Sequence, residues 1–200
     1  MKIQEVVYLK IIRLIWLAAA FILLSGCSTA VSGFKPISSV ENFHYKDQEG
    51  ESFGLPELKG KIWIANFIFT SCTTVCPPMT AHMKKIQSLG AEENIPFEIV
   101  SFSVDPQIDT PEKLKTFGSQ FGTSFENWHF LTGYSQKQIE EFSLKSFKTL
   151  VKKPENEDQV IHGTSFYLIN KEGQVVKSYS GVENPPYEDI IQDMKRLQQL

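Results

Sequence analysis

The stretch "KIWIANFIFTSCTTVCPPMT" (61–80) decides the fold, because a strand pattern changes into a helix pattern around two cysteines. Residues 61–70 are an almost continuous run of apolar, β-branched and aromatic side chains, which is typical of a strand buried on both faces. The residues after the cysteines repeat apolar side chains at helical spacing. Cys72 therefore lies in the turn after a buried strand, and Cys76 lies at or just inside the next helix.

The rest of the chain continues this alternation of strands and helices. A β-hairpin is predicted over 41–61, before the buried strand. The elements predicted after the first helix (79–94) are a strand at 96–104, a helix at 110–122 capped by Thr110, a strand at 127–133, a helix at 135–147, an antiparallel hairpin at 163–170 and 174–181, and a helix at 186–200. This order predicts an α/β protein with a thioredoxin-like fold, in which helices flank a central mixed β-sheet.

The N-terminus has the pattern of an export signal. Three basic residues precede the apolar run at 14–24, which is short for a membrane-spanning helix. The run ends in "LSGC" (24–27), which resembles the bacterial lipobox, whose cysteine becomes lipidated and begins the mature chain. We therefore predict a lipoprotein signal peptide at 1–26, a flexible tether at 27–39 and the domain at 40–200. A lipid on Cys27 would hold the domain at the cell membrane on its extracytoplasmic side; an uncleaved N-terminal anchor is the alternative.

Composition excludes little but is consistent with one globular domain. The chain has 200 residues and a formal net charge of −3, so no basic surface suggests nucleic-acid binding.

The cysteine pair admits several interpretations. Four-residue spacing on a helical turn would place both sulfurs on one face, where they can share one bound atom or form a disulfide. A structural disulfide would close a loop of only about five residues and stabilise the domain little. A thioredoxin-type enzyme has two residues between its cysteines, whereas three separate Cys72 from Cys76, and "VIHGTSF" lacks the proline of that class. A peroxiredoxin needs a proline and a threonine ahead of its cysteine and an arginine to support the thiolate. Here Phe69 occupies the position seven before Cys76, and the only arginine of the mature chain is Arg196, in the last helix.

A metal site requires a third ligand, and His162 is the best candidate. Its loop leads into the last hairpin, which in a thioredoxin-like fold lies against the cysteine loop. Two thiolates and one imidazole suit copper, and three-coordinate sites are favourable for Cu(I), whereas zinc usually takes a fourth ligand. The other three histidines are interpreted as non-ligands and Met79 as a core residue. Asp105, at the end of the second buried strand, either hydrogen-bonds a site group or caps a turn.

Four segments together resemble the Sco/SenC family of copper-binding cytochrome c oxidase assembly proteins. They are "FTSCTTVCPPM", "SFSVDPQIDTPEKL", "FLTG" and "VIHGTSFYLI", in this order along the chain. Exported lipoprotein members of the family occur in Gram-positive bacteria, and this chain resembles one of those. It departs from many members at Ile161, where they have an aspartate before the histidine; Asp158 is a nearby candidate for that role.

The resemblance implies that Cys72, Cys76 and His162 bind copper, as Cu(I), Cu(II) or both. It implies a monomeric metallochaperone that helps to build the copper A centre of cytochrome c oxidase subunit II, rather than a conventional enzyme. A second mechanism stays open, in which Cys72 and Cys76 act as a redox pair and keep the oxidase cysteines reduced.

Overall fold

The computed structural model describes residues 33–155 and 157–200. The predicted signal peptide and the predicted lipidation site, Cys27, lie outside the described residues. Within the described ranges, none of the helices has the length and apolar character needed to cross a membrane.

A mixed β-sheet forms the centre of the domain. Its six strands follow the order β1-β10-β9-β4-β5-β6 within the described residues, with β4, β5 and β6 parallel and β9 antiparallel to β4. Two further ribbons pair β2 with β3 and β7 with β8. The strands are β1 (Ser38–Ser39), β2 (His44–Lys46), β3 (Ser52–Gly54), β4 (Trp63–Ile68), β5 (Glu98–Ser103), β6 (Trp128–Leu131), β7 (Val151–Lys152), β8 (Ile161–His162), β9 (Ser165–Ile169) and β10 (Gln174–Ser180).

Helices pack on this sheet, and the four longer ones lie where the sequence predicts them. The helices are α1 (Leu55–Leu58), α2 (Cys76–Glu92), α3 (Pro111–Gln120), α4 (Gln136–Phe147) and α5 (Tyr187–Gln198). Thr110 caps α3 by accepting a hydrogen bond from the Lys113 N–H, and Ser135 caps α4 in the same way from Gln138. The thioredoxin-like fold and the N-terminal β-hairpin are confirmed.

The burial of β4 on both faces accounts for the almost continuous apolar run at 61–70. All six residues of β4 are buried, since the sheet is covered on both faces. The one polar residue among them, Asn66, accepts a hydrogen bond of 2.6 Å from Ser101 on β5. Ser101 in turn accepts one from the indole N–H of Trp128 on β6, so a polar line joins the three parallel strands.

Four short elements, β1, α1, β7 and β8, are missing from the sequence prediction. Ser38 and Ser39 form β1, antiparallel to β10, so ordered structure begins before Val40 and the tether ends earlier than expected. The segment 151–159, to which the sequence assigns no helix or strand, begins with β7, which pairs with β8. Strands of two residues carry no periodicity, and tertiary contacts decide them.

The topology brings the predicted site residues to one edge of the sheet. The parallel strands β4 and β5 end there, followed by Cys72 and Asp105 respectively. Because β9 is antiparallel to β4, it begins at this same edge, three residues after His162. Sites in open α/β sheets commonly occupy this position.

Candidate metal centre

The first turn of α2 positions the two cysteines. Cys76 is the first residue of the helix, and Pro77 and Pro78 follow it. Prolines fit here because the first N–H groups of a helix have no partner within the helix. They leave the N–H of Cys76 free, and it donates to the Cys72 sulfur at 3.4 Å. The Cys72 sulfur thus lies at the N-terminus of α2, where the positive end of the helix dipole favours an anion.

The sulfurs meet for a different reason from the one predicted. The sequence argument placed Cys72 in the turn before the helix, where the structure has it, but explained the meeting of the sulfurs by four-residue spacing on one helical face. Cys72 is not part of the helix, so that spacing does not apply. That turn folds back after β4, with the Cys72 N–H donating to the Phe69 carbonyl at 3.2 Å. The prediction of convergence is right, and its helical geometry is wrong.

His162 approaches from the opposite side on β8. Its Nδ1 donates to the Gly163 carbonyl at 2.9 Å, which turns Nε2 towards the sulfurs, 3.5 Å from that of Cys76. The ring stands edge-on to Phe69, with centroids 5.7 Å apart. Gly163 packs tightly, since an added Cβ would lie 2.2 Å from the hydroxyl oxygen of Thr149.

Cys72, Cys76 and His162 therefore form one compact set of donor atoms. One nitrogen or sulfur from each lies within 4.8 Å of the others, with both cysteines buried and His162 partly buried. Both cysteines are free thiols. Among the residues that the structure describes, this is the one group of three or more His, Cys, Asp and Glu side chains close enough to share a metal ion. Two sulfurs and an imidazole make a soft donor set that fits copper, Cu(I) above all.

The two thiols differ sharply in acidity. For Cys72 burial opposes ionisation, yet hydrogen bonds with His162, with the Cys76 thiol and with the N–H groups of Cys76 and Thr74 lower its pKa to about 5. Burial raises the pKa of Cys76 well above the usual range, and the neighbouring Cys72 and Asp109 add to this rise. At neutral pH the pair holds one thiolate, on Cys72, and one thiol, on Cys76.

Asp109 is the carboxylate that the sequence argument did not single out. It is 1% exposed and accepts hydrogen bonds from the Thr70 hydroxyl (2.6 Å), the Thr70 N–H (3.2 Å) and the Ser103 hydroxyl (2.6 Å). Since Thr70 lies two residues before Cys72, Asp109 ties the cysteine turn to the loop after β5. Its signal in the sequence is the second aspartate of "SVDPQIDTP".

The two aspartates considered from the sequence have other surroundings. Asp105 pairs with Lys153, Nζ to Oδ1, at 2.7 Å, and its carbonyl also accepts the N–H groups of Ile108 and Asp109 in a turn. Asp158 is exposed, and no hydrogen bond to it is found among the described residues. The Gly163 carbonyl, rather than Asp158, is the partner of the His162 ring, so the proposed substitution for the missing aspartate is wrong.

The remaining histidines lie in other surroundings. His44 is exposed, His82 hydrogen-bonds the Tyr187 hydroxyl, and His129 stacks on Phe53 and faces Glu98 at 3.4 Å. Met79 is fully buried in the core.

Comparison with known proteins agrees with this geometry. The family model for SCO1/SenC matches residues 34–199. The chain is 54% identical over 181 residues to the SCO1 protein homolog of Bacillus subtilis (strain 168), which covers 90% of this chain and 94% of that relative.

Two solved structures extend the comparison. BsSco, a member of the Sco family of cytochrome c oxidase assembly proteins, matches with a TM-score of 0.77 at 56% identity, over 84% of this chain and 98% of that one. Yeast Sco1 with copper bound matches with a TM-score of 0.65 at 26% identity, over 79% of this chain and 89% of that one. The chain belongs to the SCO1/SenC family.

Proposed function

We propose that this protein binds copper through Cys72, Cys76 and His162 and delivers it to the copper A centre of cytochrome c oxidase subunit II. The observation that carries the proposal is the set of three soft donor atoms within 4.8 Å, at the edge where the sheet presents its loops. A relative solved with copper bound and a relative in the Sco family of oxidase assembly proteins support it.

The donor set favours copper over other metals by its softness and its number. Two sulfurs and one nitrogen satisfy Cu(I), while zinc would require a fourth ligand from solvent or from a partner. A copper ion held by three ligands keeps an open side through which a receiving site can bind it. The exposed Thr73 and Thr74, in the turn between the cysteines, leave the site close to the surface.

Copper titration of the reduced full chain, purified in detergent, tests the site. We expect one tightly bound copper per chain, measured by competition with a chelator, and a large loss of affinity in His162→Ala. His44→Ala is the matched control, because His44 is an exposed histidine on β2, and it should bind as wild type does. Absence of tight binding in wild type, or an unchanged affinity and spectrum in His162→Ala, would contradict the three-ligand site.

The same proposal places the domain on the extracytoplasmic side of the cell membrane, held by a lipid on Cys27. The support is the sequence: a basic start, an apolar run of about eleven residues and "LSGC" at 24–27. Metabolic labelling with a radioactive fatty acid should mark the wild-type chain and leave Cys27→Ser unmarked. Equal labelling of both chains would exclude this anchor.

Thiol–disulfide exchange is a second candidate function, favoured by the unequal acidity of the two thiols. The Cys72 thiolate would attack one sulfur of a partner disulfide, form a mixed disulfide and release the other partner sulfur as a thiolate. Cys76, on losing its proton, would attack the Cys72 sulfur and release the second partner thiolate. The partner gains two electrons, and Cys72 and Cys76 end as a disulfide.

A metal-free exchange assay separates the two functions. If reduction of disulfides is the main activity, the chain should turn over a disulfide substrate many times with an added dithiol and no copper. Cys76→Ser should then accumulate the mixed disulfide on Cys72. Slow exchange without turnover, combined with tight copper binding, favours the copper carrier.

A further inference from the structure

His162 is carried by a very small piece of secondary structure. Its strand, β8, has two residues and pairs with the two residues of β7 in the register Val151 to His162 and Lys152 to Ile161. An isolated two-stranded ribbon is marginal in water even when it is longer than this one. The position of the imidazole therefore depends on what holds the ribbon to the rest of the domain.

The firmest polar anchor of the ribbon is Lys153, the residue after β7. Its backbone N–H donates to the Glu140 carboxylate at 3.1 Å, and its ammonium group pairs with Asp105 at 2.7 Å. The Lys153 side chain is 22% exposed and that of Asp105 only 3%, so water screens this pair little. The neighbouring Lys152 also forms an ion pair, with Glu140 at 3.1 Å, but its side chain is 57% exposed. Exposed pairs of that kind contribute little.

Asp105 belongs to the sheet edge that also leads to the cysteines. It follows β5, which pairs in parallel with β4, and its N–H donates to the Ser103 hydroxyl at 3.1 Å. Beyond Lys153 and Pro154 the chain is exposed wherever it is described between Glu155 and Gln159, up to the buried Val160. In that part of the described chain Lys153 makes the last polar attachment before β8, and the apolar Val160 then packs in the core directly ahead of the strand.

We propose that Lys153 is a positioning residue for His162, because its ion pair with Asp105 fixes the β7–β8 ribbon at one distance from the cysteine turn. The inference rests on the proposed copper site and adds the element that sets the distance between His162 and the cysteines. Without the pair the ribbon shifts, and the 3.5 Å approach of His162 Nε2 to the Cys76 sulfur changes. Cys72 and Cys76 keep their mutual geometry, since the N–H of Cys76 and the turn after β4 hold them.

Copper affinity, measured on matched full-length variants, tests this role. We expect Lys153→Met to weaken Cu(I) binding about tenfold, the low end of the loss seen when groups that orient a ligand are removed. Lys152→Met is the matched control and should stay within about twofold of wild type, as expected for an exposed pair. Lys153→Arg, which keeps the ion pair, should restore binding.

A cycle with His162→Ala separates positioning from a general effect on stability. If Lys153 acts through the imidazole, Lys153→Met should cause no further loss of affinity in the His162→Ala background. Should Lys153→Met melt below the assay temperature because Asp105 is left unpaired, the double variant Lys153→Met with Asp105→Asn removes both charges and carries the same expectation.

Several results would overturn the inference. They are wild-type affinity in Lys153→Met, an equal loss in Lys152→Met, or an equal loss in the His162→Ala background. A wild-type chain that binds no copper would instead overturn the proposed function, and this inference with it.

Discussion

Replacing Asp109 provides a quantitative test of how the cysteine turn is held. The carboxylate is buried and accepts three hydrogen bonds, two from Thr70 and one from Ser103. In Asp109→Ala all three donors lose their acceptor. A buried donor without a partner costs about 1–3 kcal/mol. Thr70 is partly exposed, so water can reach its donors and the cost of each lost hydrogen bond should lie in the lower part of that range. For three donors we expect the free energy of unfolding to fall by roughly 3–5 kcal/mol.

Asp109→Asn should cost far less. The amide oxygen can still accept from Thr70, and the amide group can donate to Ser103, so about one hydrogen bond, roughly 1 kcal/mol, is lost. Part of this loss is offset because the substitution removes a buried charge. Burial is the largest influence on Asp109 and raises its pKa above the ordinary value, despite the hydrogen bonds that oppose it, so ionisation of this group disfavours the folded state.

The pH dependence follows from the direction of that shift. A carboxyl whose pKa is raised on folding contributes stability that is fully present below its unfolded pKa of about 3.9. That contribution is lost as the pH rises through the higher, folded pKa. The free energy of unfolding of wild type, measured against that of Asp109→Asn, should therefore fall as the pH rises through this window. Above the window the difference should be constant.

Urea unfolding of the full chain in detergent, followed by circular dichroism from pH 3 to 8, measures both effects. The reasoning is refuted if Asp109→Ala loses less than about 1 kcal/mol, or if the Asn and Ala variants are equally unstable. A stability difference between wild type and Asp109→Asn that does not change with pH would refute the electrostatic part alone.

Three further predictions concern the site and the opposite end of the sheet. Iodoacetamide should modify Cys72 at a rate that is half-maximal near pH 5, where the Cys72 thiolate forms, and should leave Cys76 unmodified at neutral pH. Mass spectrometry measures both modifications, and modification of both cysteines at one rate would contradict the assigned acidities. Gly163→Ala should weaken copper binding, since the new Cβ would lie 2.2 Å from the Thr149 hydroxyl oxygen, and Thr149→Ala in the same chain should restore it; a lasting defect in the double variant would exclude this clash as the cause. Glu98→Gln should lower the melting temperature above about pH 5 but not near pH 3. Although burial opposes ionisation, contacts with His129 and Lys61 lower the pKa of Glu98, so the stability that its carboxylate contributes is lost as the pH falls through that pKa. An equal change in melting temperature at both pH values would contradict this prediction.

The fold could be predicted from the sequence because its long elements have strong patterns. The run at 61–70 gave β4, and Thr110 and Ser135 marked the starts of α3 and α4 to within one residue. The residues of the site were also within reach, since the topology places the loop after β4 beside the start of β9. Patterns of this length report burial along a whole element, which tertiary contacts rarely reverse.

The residues that hold the site in position could not be predicted in the same way. Asp109 and Lys153 each lie in a loop, and their partners are 39 and 48 residues away in the sequence. Polar residues in loops carry no periodic signal, and only the packed structure shows that Asp109 and Asp105 are buried. For the same reason Asp158, which looked suitable from its place near His162, is exposed, while a backbone carbonyl orients the ring.

The unequal thiols connect the two candidate functions physically. With Pro77 and Pro78 in the first turn, α2 offers the N–H of Cys76 to an anion, and the Cys72 sulfur takes it. Cys76, buried and near the charges of Cys72 and Asp109, keeps its proton. A metal that binds both sulfurs must displace that proton, so copper affinity has to rise with pH, whereas attack by Cys72 on a disulfide needs no such step. The asymmetry that prepares Cys72 as a nucleophile would thus make Cys76 the sulfur that a bound metal leaves first, on return of a single proton.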